Sequence, residues 1–317
     1  MIDSLPEAMN SRGVGTSWEG KVSHPNRRLG IQQIIASGLC FGCLGLFGKL
    51  LYEHGATAGE LLALRFTFAA LMLFGWHALR DPRRLILPWR QLLSCALLGV
   101  FGYALFAFCF FSALGGLSAS LSVLLLYTYP VMVTIGARFL FQEKIPRQKL
   151  WALPLVLVGT VALVWGEMAV EKASALIFGL CAALFYSLYI LLSSRLLRKV
   201  PADISVPYIQ TFAALILTVI FVHDFERVQM LWINAWWIIL SIAFIGTVLA
   251  MSLFLAGLQK LQNWEVALLS TTEPLSGVLL AALFLGERLS PSQVLGGLGI
   301  LLGLLLVARP VPRPALN

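Results

Sequence analysis

The stretch LLSTTEPLSGVLLAALFLGERLSP, Leu268–Pro291, sets a carboxylate and a helix breaker, Glu273-Pro274, into an otherwise oily segment. An earlier stretch, LLLYTYPVMVTIGARFLFQEKIP, Leu124–Pro146, has the same layout. Pro130 corresponds to Pro274 and Glu143 to Glu287, each pair separated by 144 residues. TFAALML at Thr67–Leu73 returns as TFAALIL at Thr211–Leu217 at that same step of 144. Thr128 and Thr272, and Gly159 and Gly303, keep the register, while GLC at 38–40 and 179–181 fits after a shift of three. One register across so many segments reads as a duplicated unit. The copies differ at the charge: Tyr129 stands where the second copy has Glu273.

The chain is 59% hydrophobic and 12% charged, whereas soluble domains run near half apolar and a quarter charged. A soluble globular fold is excluded on that balance. The apolar residues fall into runs near the ~20 residues that cross a bilayer core of about 30 Å. Ten such runs are expected, at 31–52, 58–79, 91–113, 117–141, 149–166, 174–194, 204–223, 235–257, 264–285 and 292–308. The fold class is therefore all-α integral membrane, with ten transmembrane helices in two five-helix repeats, 31–166 and 174–308. Five is odd, so the second repeat enters from the opposite side and runs inverted, an arrangement that secondary transporters use to build a midplane site.

Residues 1–30 read as a disordered tail without the apolar core of a signal peptide, and 309–317 as a short C-terminal tail. The net charge of +8 sits in alternate loops. Lys21, Arg27 and Arg28 precede the first run; Arg80, Arg83, Arg84 and Arg90 follow the second; Arg138, Lys144, Arg147 and Lys149 lie around the junction of the fourth and fifth; Arg195, Arg198 and Lys199 follow the sixth. Acids such as Glu53, Glu167, Glu171, Asp224 and Glu226 occupy the intervening loops. This positive-inside pattern places both termini in the cytoplasm of a bacterial inner membrane, and it explains the basic excess without a nucleic-acid partner. The five cysteines fall within the spans, where small packing residues are the expected role. The four histidines are scattered, and no metal set or cofactor motif emerges.

The segments GKLLYEHGATAGELLALRFTFAAL, YTYPVMVTIGARFLFQEKIP and TTEPLSGVLLAALFLGERLSPSQVLGGLGILLGLLLVA together resemble the two EamA domains of the drug/metabolite transporter superfamily. The resemblance implies a Lys near the end of each first helix, an Arg in each second, and a Pro early in each fourth. A Glu-Lys or Glu-Arg then closes the fourth helix, and the fifth is Gly-rich. Lys49, Arg65, Pro130, Glu143-Lys144, Pro274, Glu287-Arg288 and Gly296–Gly303 fill those places, but Ile209 stands where Arg65 would repeat and Lys49 has no counterpart. The fingerprint speaks for fold and leaves the substrate open.

Two residues stand out. Arg65 lies about seven residues into its span, near 10 Å deep, and Glu273 about nine, near 14 Å deep. Ionisable groups at such depth normally face a cavity or a partner, and neither recurs in the other half. One reading makes them the pathway: Glu273 exchanges a proton or receives an ammonium, and Arg65 attracts a carboxylate or phosphate with its planar fork. The other makes them a structural salt bridge, or lets Arg65 snorkel outward. Tyr103, Tyr127, Tyr129, Trp165 and Tyr186 are candidates for an aromatic lining. Pro130 and Pro274 should kink their helices, with Thr128, Thr271 and Thr272 at hand for the freed carbonyls, and are hinge candidates. Glu143, Glu287 and Lys49 read as structural, the glutamates through favourable placement near a helix N-terminus. Ser290-Pro291-Ser292-Gln293 marks the start of the last helix. Glycines 38, 42, 45 and 48, and 296, 299 and 303, form stripes that let helices approach closely in lipid.

The function expected is secondary transport of a small metabolite, amino acid-like solute or drug, outward and coupled to protons. A non-transporting structural or sensory membrane protein is the alternative. No Walker A motif, His-Glu-x-x-His or Gly-x-Ser-x-Gly is present, so an ATP-driven pump or a membrane enzyme is not indicated.

Overall fold

The computed structural model describes residues 24–166, 169–284, 286 and 288–310, and over these the chain is helical, with a single isolated bridge between Leu117 and Val170. The helices are α1 (His24–Glu53), α2 (Ala58–Arg80), α3 (Trp89–Leu97), α4 (Leu105–Leu114), α5 (Ala119–Leu126), α6 (Tyr129–Phe141) and α7 (Ala152–Leu163). The second half holds α8 (Ser174–Leu196), α9 (Ala202–Phe221), α10 (Phe225–Ala243), α11 (Ala250–Leu258), α12 (Asn263–Leu269), α13 (Thr272–Phe284) and α14 (Pro291–Ala308). Helix α1 starts seven residues before the first expected span. Residues 1–23 and 311–317, which take in most of the two expected tails, lie outside the described residues.

Capping follows local sequence. Thr57 and Glu60 close a capping box at α2, and Ser290 with Gln293 closes another at α14, where Pro291 takes the first turn. Each box satisfies backbone donors that lipid cannot.

Among the described residues, nine helical stretches are long and apolar enough to cross a membrane, not the ten expected. The tenth, α7, has only 12 residues, about 18 Å at 1.5 Å per residue. Residues 147–149 form a 3-10 turn, and the Lys149 ammonium is tied to the Val307 carbonyl at 2.8 Å. Pro154 is tolerated because it falls in the first turn of the late-starting helix. Helix α7 packs along α14, backbone against backbone. A Cβ on Gly159 would meet the Gly296 carbonyl oxygen at 2.8 Å, so those glycines set the helix spacing.

The packing is paired. Helix α1 packs on α11 and α13, and α8 packs on α4 and α6; α2 packs on α9, as α7 does on α14. Exchanging the two halves maps every one of these pairs onto another or onto itself. Two wide π-helical turns also recur, Leu98–Ala104 between α3 and α4 and Phe244–Leu249 between α10 and α11. Each contains one of a pair of glycines 144 apart, Gly102 and Gly246. Gly102 lies against Tyr189 and Gly246 against Leu44. The short helices break the pairing: α12 packs on α6, but among the described residues α5 makes no such packing on α13. A cavity occupies that place.

Candidate functional site

The two proline-bearing spans are interrupted helices. Tyr127 and Thr128 separate α5 from α6, and Ser270 and Thr271 separate α12 from α13. Pro130 lies in the first turn of α6, and Pro274 in the first turn of α13. Each interruption frees carbonyls that hydroxyls then satisfy. Thr128 Oγ1 donates to Leu125 O at 2.7 Å, Thr271 Oγ1 to Leu268 O at 2.7 Å, and Thr272 Oγ1 to Leu269 O at 2.6 Å. Local hydroxyls let the backbone turn without leaving a bare acceptor in the bundle. The second interruption sets Glu273 in the first turn of α13, where the helix dipole favours a carboxylate.

Glu273 faces a cavity of about 380 Å³ that also receives Arg65, Tyr103, Tyr127, Tyr129 and Tyr186. The cavity reaches Tyr52 at the end of α1, Leu61 at the start of α2 and Leu114 at the end of α4, so it lies toward one end of the bundle. Gly45 and Gly48 line it, Gly38 lower on α1 presses against α13, and Gly42 between them does both. The glycine stripe thus serves close packing in one half and open volume in the other.

Arg65 is 6% exposed. Its Nη2 donates to the Tyr103 hydroxyl at 3.2 Å, its guanidinium lies 4.6 Å from the Phe66 ring centre, and its Nε is buried with no acceptor. Such an unfilled donor on a buried cation is costly unless a ligand completes it. Tyr103 belongs to the first π turn, so the widened backbone aims the hydroxyl that orients Arg65. Tyr127 lines the same cavity as the Glu273 carboxylate and the Arg65 guanidinium. No direct ion pair joins Arg65 and Glu273 among the described residues. Edge-on rings fill the wall between them: Tyr103 on Phe66 at 5.0 Å and Tyr186 on Tyr129 at 4.7 Å.

The other end of the bundle is closed by polar contacts. Arg27 Nη2 meets Glu265 Oε1 at 2.7 Å, and Lys149 Nζ meets the same atom at 3.7 Å. Arg27 also donates to Val307 O at 2.7 Å and Ala308 O at 3.2 Å, placing cations at the C-terminus of α14. Burial lowers the Lys149 pKa, opposed by the Glu265 charge. Glu143 Oε1 accepts from Asn263 N at 3.2 Å and Asn263 Nδ2 at 2.8 Å. Burial raises the Glu143 pKa, with those hydrogen bonds pulling the other way.

The EamA-like transporter family model matches residues 28–165 and again 173–309. The chain belongs to that family. It is 28% identical to an uncharacterized transporter of Archaeoglobus fulgidus over 89% of this chain and 97% of that one. Proteins described as probable amino-acid metabolite efflux pumps from Escherichia coli and Salmonella typhimurium are 27% and 26% identical. They align over 79% and 77% of this chain and 85% and 83% of their own lengths. A crystal structure at 20% identity superposes with a TM-score of 0.73 over 88% of this chain and 96% of that chain, sharing the fold.

In this EamA-like transporter, Arg65, Glu273, Pro274, Tyr103, Tyr127, Tyr129 and Tyr186 meet at one cavity. Trp165 does not join them; it follows α7 and is 62% exposed, because α7 lies on α14 rather than beside the cavity. Pro130 is buried one residue beyond Tyr129 and is not part of the lining. Lys49 is on the exposed side of α1, and Glu287 lies outside the described residues. Glu143 does sit at a helix N-terminus, but at that of α12, 120 residues away, not that of the helix following it in sequence. Sequence reasoning missed Tyr52, Phe106, Phe110 and Phe111 in the lining. The spacing of Phe106 and Phe110, one helical turn apart, was the available signal.

Proposed function

We propose that this membrane transporter exports a small zwitterionic, amino-acid-like metabolite, alternating access between two inverted five-helix halves and using Glu273 as the proton-coupling group. The observation that carries the reading is the cavity itself. A guanidinium with an unfilled donor and a carboxylate share one aromatic-walled space without pairing directly. An α-amino acid offers a carboxylate to Arg65 and an ammonium to Glu273, and its side chain can lie on the rings. The described function of the E. coli and Salmonella relatives supports that substrate class.

The exchange-symmetric helix pairs, the matching π turns and the matching interrupted helices support ten crossings in two inverted halves, with the short α7 as the fifth. The loop charges support an inner-membrane orientation with both termini cytoplasmic. On that orientation, the cavity is open toward the periplasm and closed toward the cytoplasm. Proteoliposomes holding the purified protein test the reading through counterflow of a panel of amino acids and through flux driven by a pH gradient. Glu273→Gln should abolish the gradient-driven flux while the protein stays folded. Unchanged gradient-driven flux in that variant would remove Glu273 from the mechanism.

A further inference from the structure

We propose that Glu143 is a second proton-binding site, and that a proton held there keeps α12 shut as the cytoplasmic gate. The proposal rests on the transporter orientation given above. Every residue of α12 is buried, Asn263, Trp264 and Glu265 included. The corresponding helix α5 instead stands beside the cavity, where Val123 and Leu126 line it. The half-helix that closes one end and the half-helix that leaves the other open are therefore α12 and α5.

The contact that fixes α12 crosses from one half of the chain to the other. Glu143 Oε1 takes the Asn263 backbone N–H and one proton of its side-chain amide, at 3.2 and 2.8 Å. Two atoms of these same groups, Glu143 Oε2 and Asn263 Oδ1, are buried without a donor. Both are acceptors, so no rearrangement of the ionised pair satisfies either from the other. A proton on Oε2 would turn that orphan acceptor into a donor while Oε1 keeps accepting N–H, and Asn263 Oδ1 is the orphan acceptor on the side chain Glu143 already contacts. An unsatisfied buried acceptor carries its full desolvation cost, which favours the protonated pair wherever the gate is dry.

The charged group acting on Glu143 from α12 is Glu265, whose like charge also favours the neutral form. Arg27 of α1 and Lys149 of the turn before α7 are committed to Glu265. Burial raises the Glu143 pKa in the closed state, while opening the gate would hydrate it. The closed gate thus binds the proton more tightly than the open gate. By linkage, closure is favoured at low cytoplasmic pH and lost as pH rises through the closed-state value.

Hydrogen exchange of the α12 amides from Glu265 to Leu269, in the full-length protein in lipid nanodiscs, reads gate opening without any substrate. Comparing wild type with Glu143→Gln at each pH cancels the intrinsic exchange rate. The glutamine amide supplies the missing donor permanently, so it mimics the protonated acid. The wild-type/variant ratio should stay near one at acid pH and rise about tenfold at alkaline pH for each unit by which the closed state raises the pKa. Asn263→Ala removes the waiting acceptor and should move the wild-type rise to lower pH. A ratio independent of pH overturns the proposal. If Glu143→Gln does not fold, an unmoved profile in Asn263→Ala overturns it alone. Absence of amino-acid flux would sink the proposed function and leave these exchange rates to be judged by themselves.

Discussion

Replacing Arg65 by Met separates a substrate-binding cation from a structural tie. The guanidinium is 6% exposed, makes one hydrogen bond to Tyr103 and leaves Nε unpartnered. Methionine fills similar space and removes a charge whose desolvation is poorly compensated. Burying a charge that is not paired and fully hydrogen-bonded is itself costly, so the melting temperature in detergent should hold or rise. Substrate binding should fall instead. A charge-assisted hydrogen bond contributes about 1.5–3 kcal/mol, and about 1.4 kcal/mol is tenfold in Kd, so affinity for an amino acid should drop by about 10- to 100-fold. Its carboxamide analogue, which lacks the carboxylate, should lose little. Arg65→Lys keeps the charge without the planar fork and should fall between the two. Isothermal titration of both ligands, beside a thermal melt, gives the result. A large fall in melting temperature with equal loss for both ligands would refute the argument and make Arg65 a tie.

Two further outcomes probe the frame around the cavity. Gly296→Ala would bring a Cβ within 2.5 Å of the Gly159 carbonyl oxygen; overpacking of this kind costs about 1–3 kcal/mol, so the variant should melt earlier, and an unchanged melt would mean that α7 and α14 are not locked together. Glu265→Ala strands the Lys149 ammonium, which is 5% exposed. Breaking a buried pair costs about 3–5 kcal/mol, with the low end expected because the Val307 and Ala308 carbonyls still hold the cations. Wild-type stability in a chemical melt would show that this cluster contributes nothing.

Membrane class, duplication and the cavity-facing charges were legible because each leaves a local mark. Glu273 and Arg65 stand out as ionisable residues in apolar runs, and Pro130 and Pro274 interrupt helices where a proline must. Capping boxes are short-range chemistry, so Ser290-Pro291-Ser292-Gln293 could be read directly. What escaped was set by distant contacts. The partner of Glu143 is Asn263, 120 residues away. Trp165 looked like lining by composition, yet the packing of α7 on α14 turns it outward. The late start of α7 goes with a lysine tied to the Val307 carbonyl near the end of α14, which no hydropathy window registers.

The two π turns hold one residue more per loop of backbone than their neighbours. That surplus can travel: shifting one amide from its fifth to its fourth partner moves the wide loop along by a residue and screws everything beyond it around the axis. Oil tolerates no naked amide, yet this shuffle exchanges bonds one at a time and strands none. A helix with such slack can corkscrew inside the bilayer while its ends stay moored, which gives Tyr103, seated in the first loop, a route to swing its hydroxyl on and off Arg65 without any span coming undone.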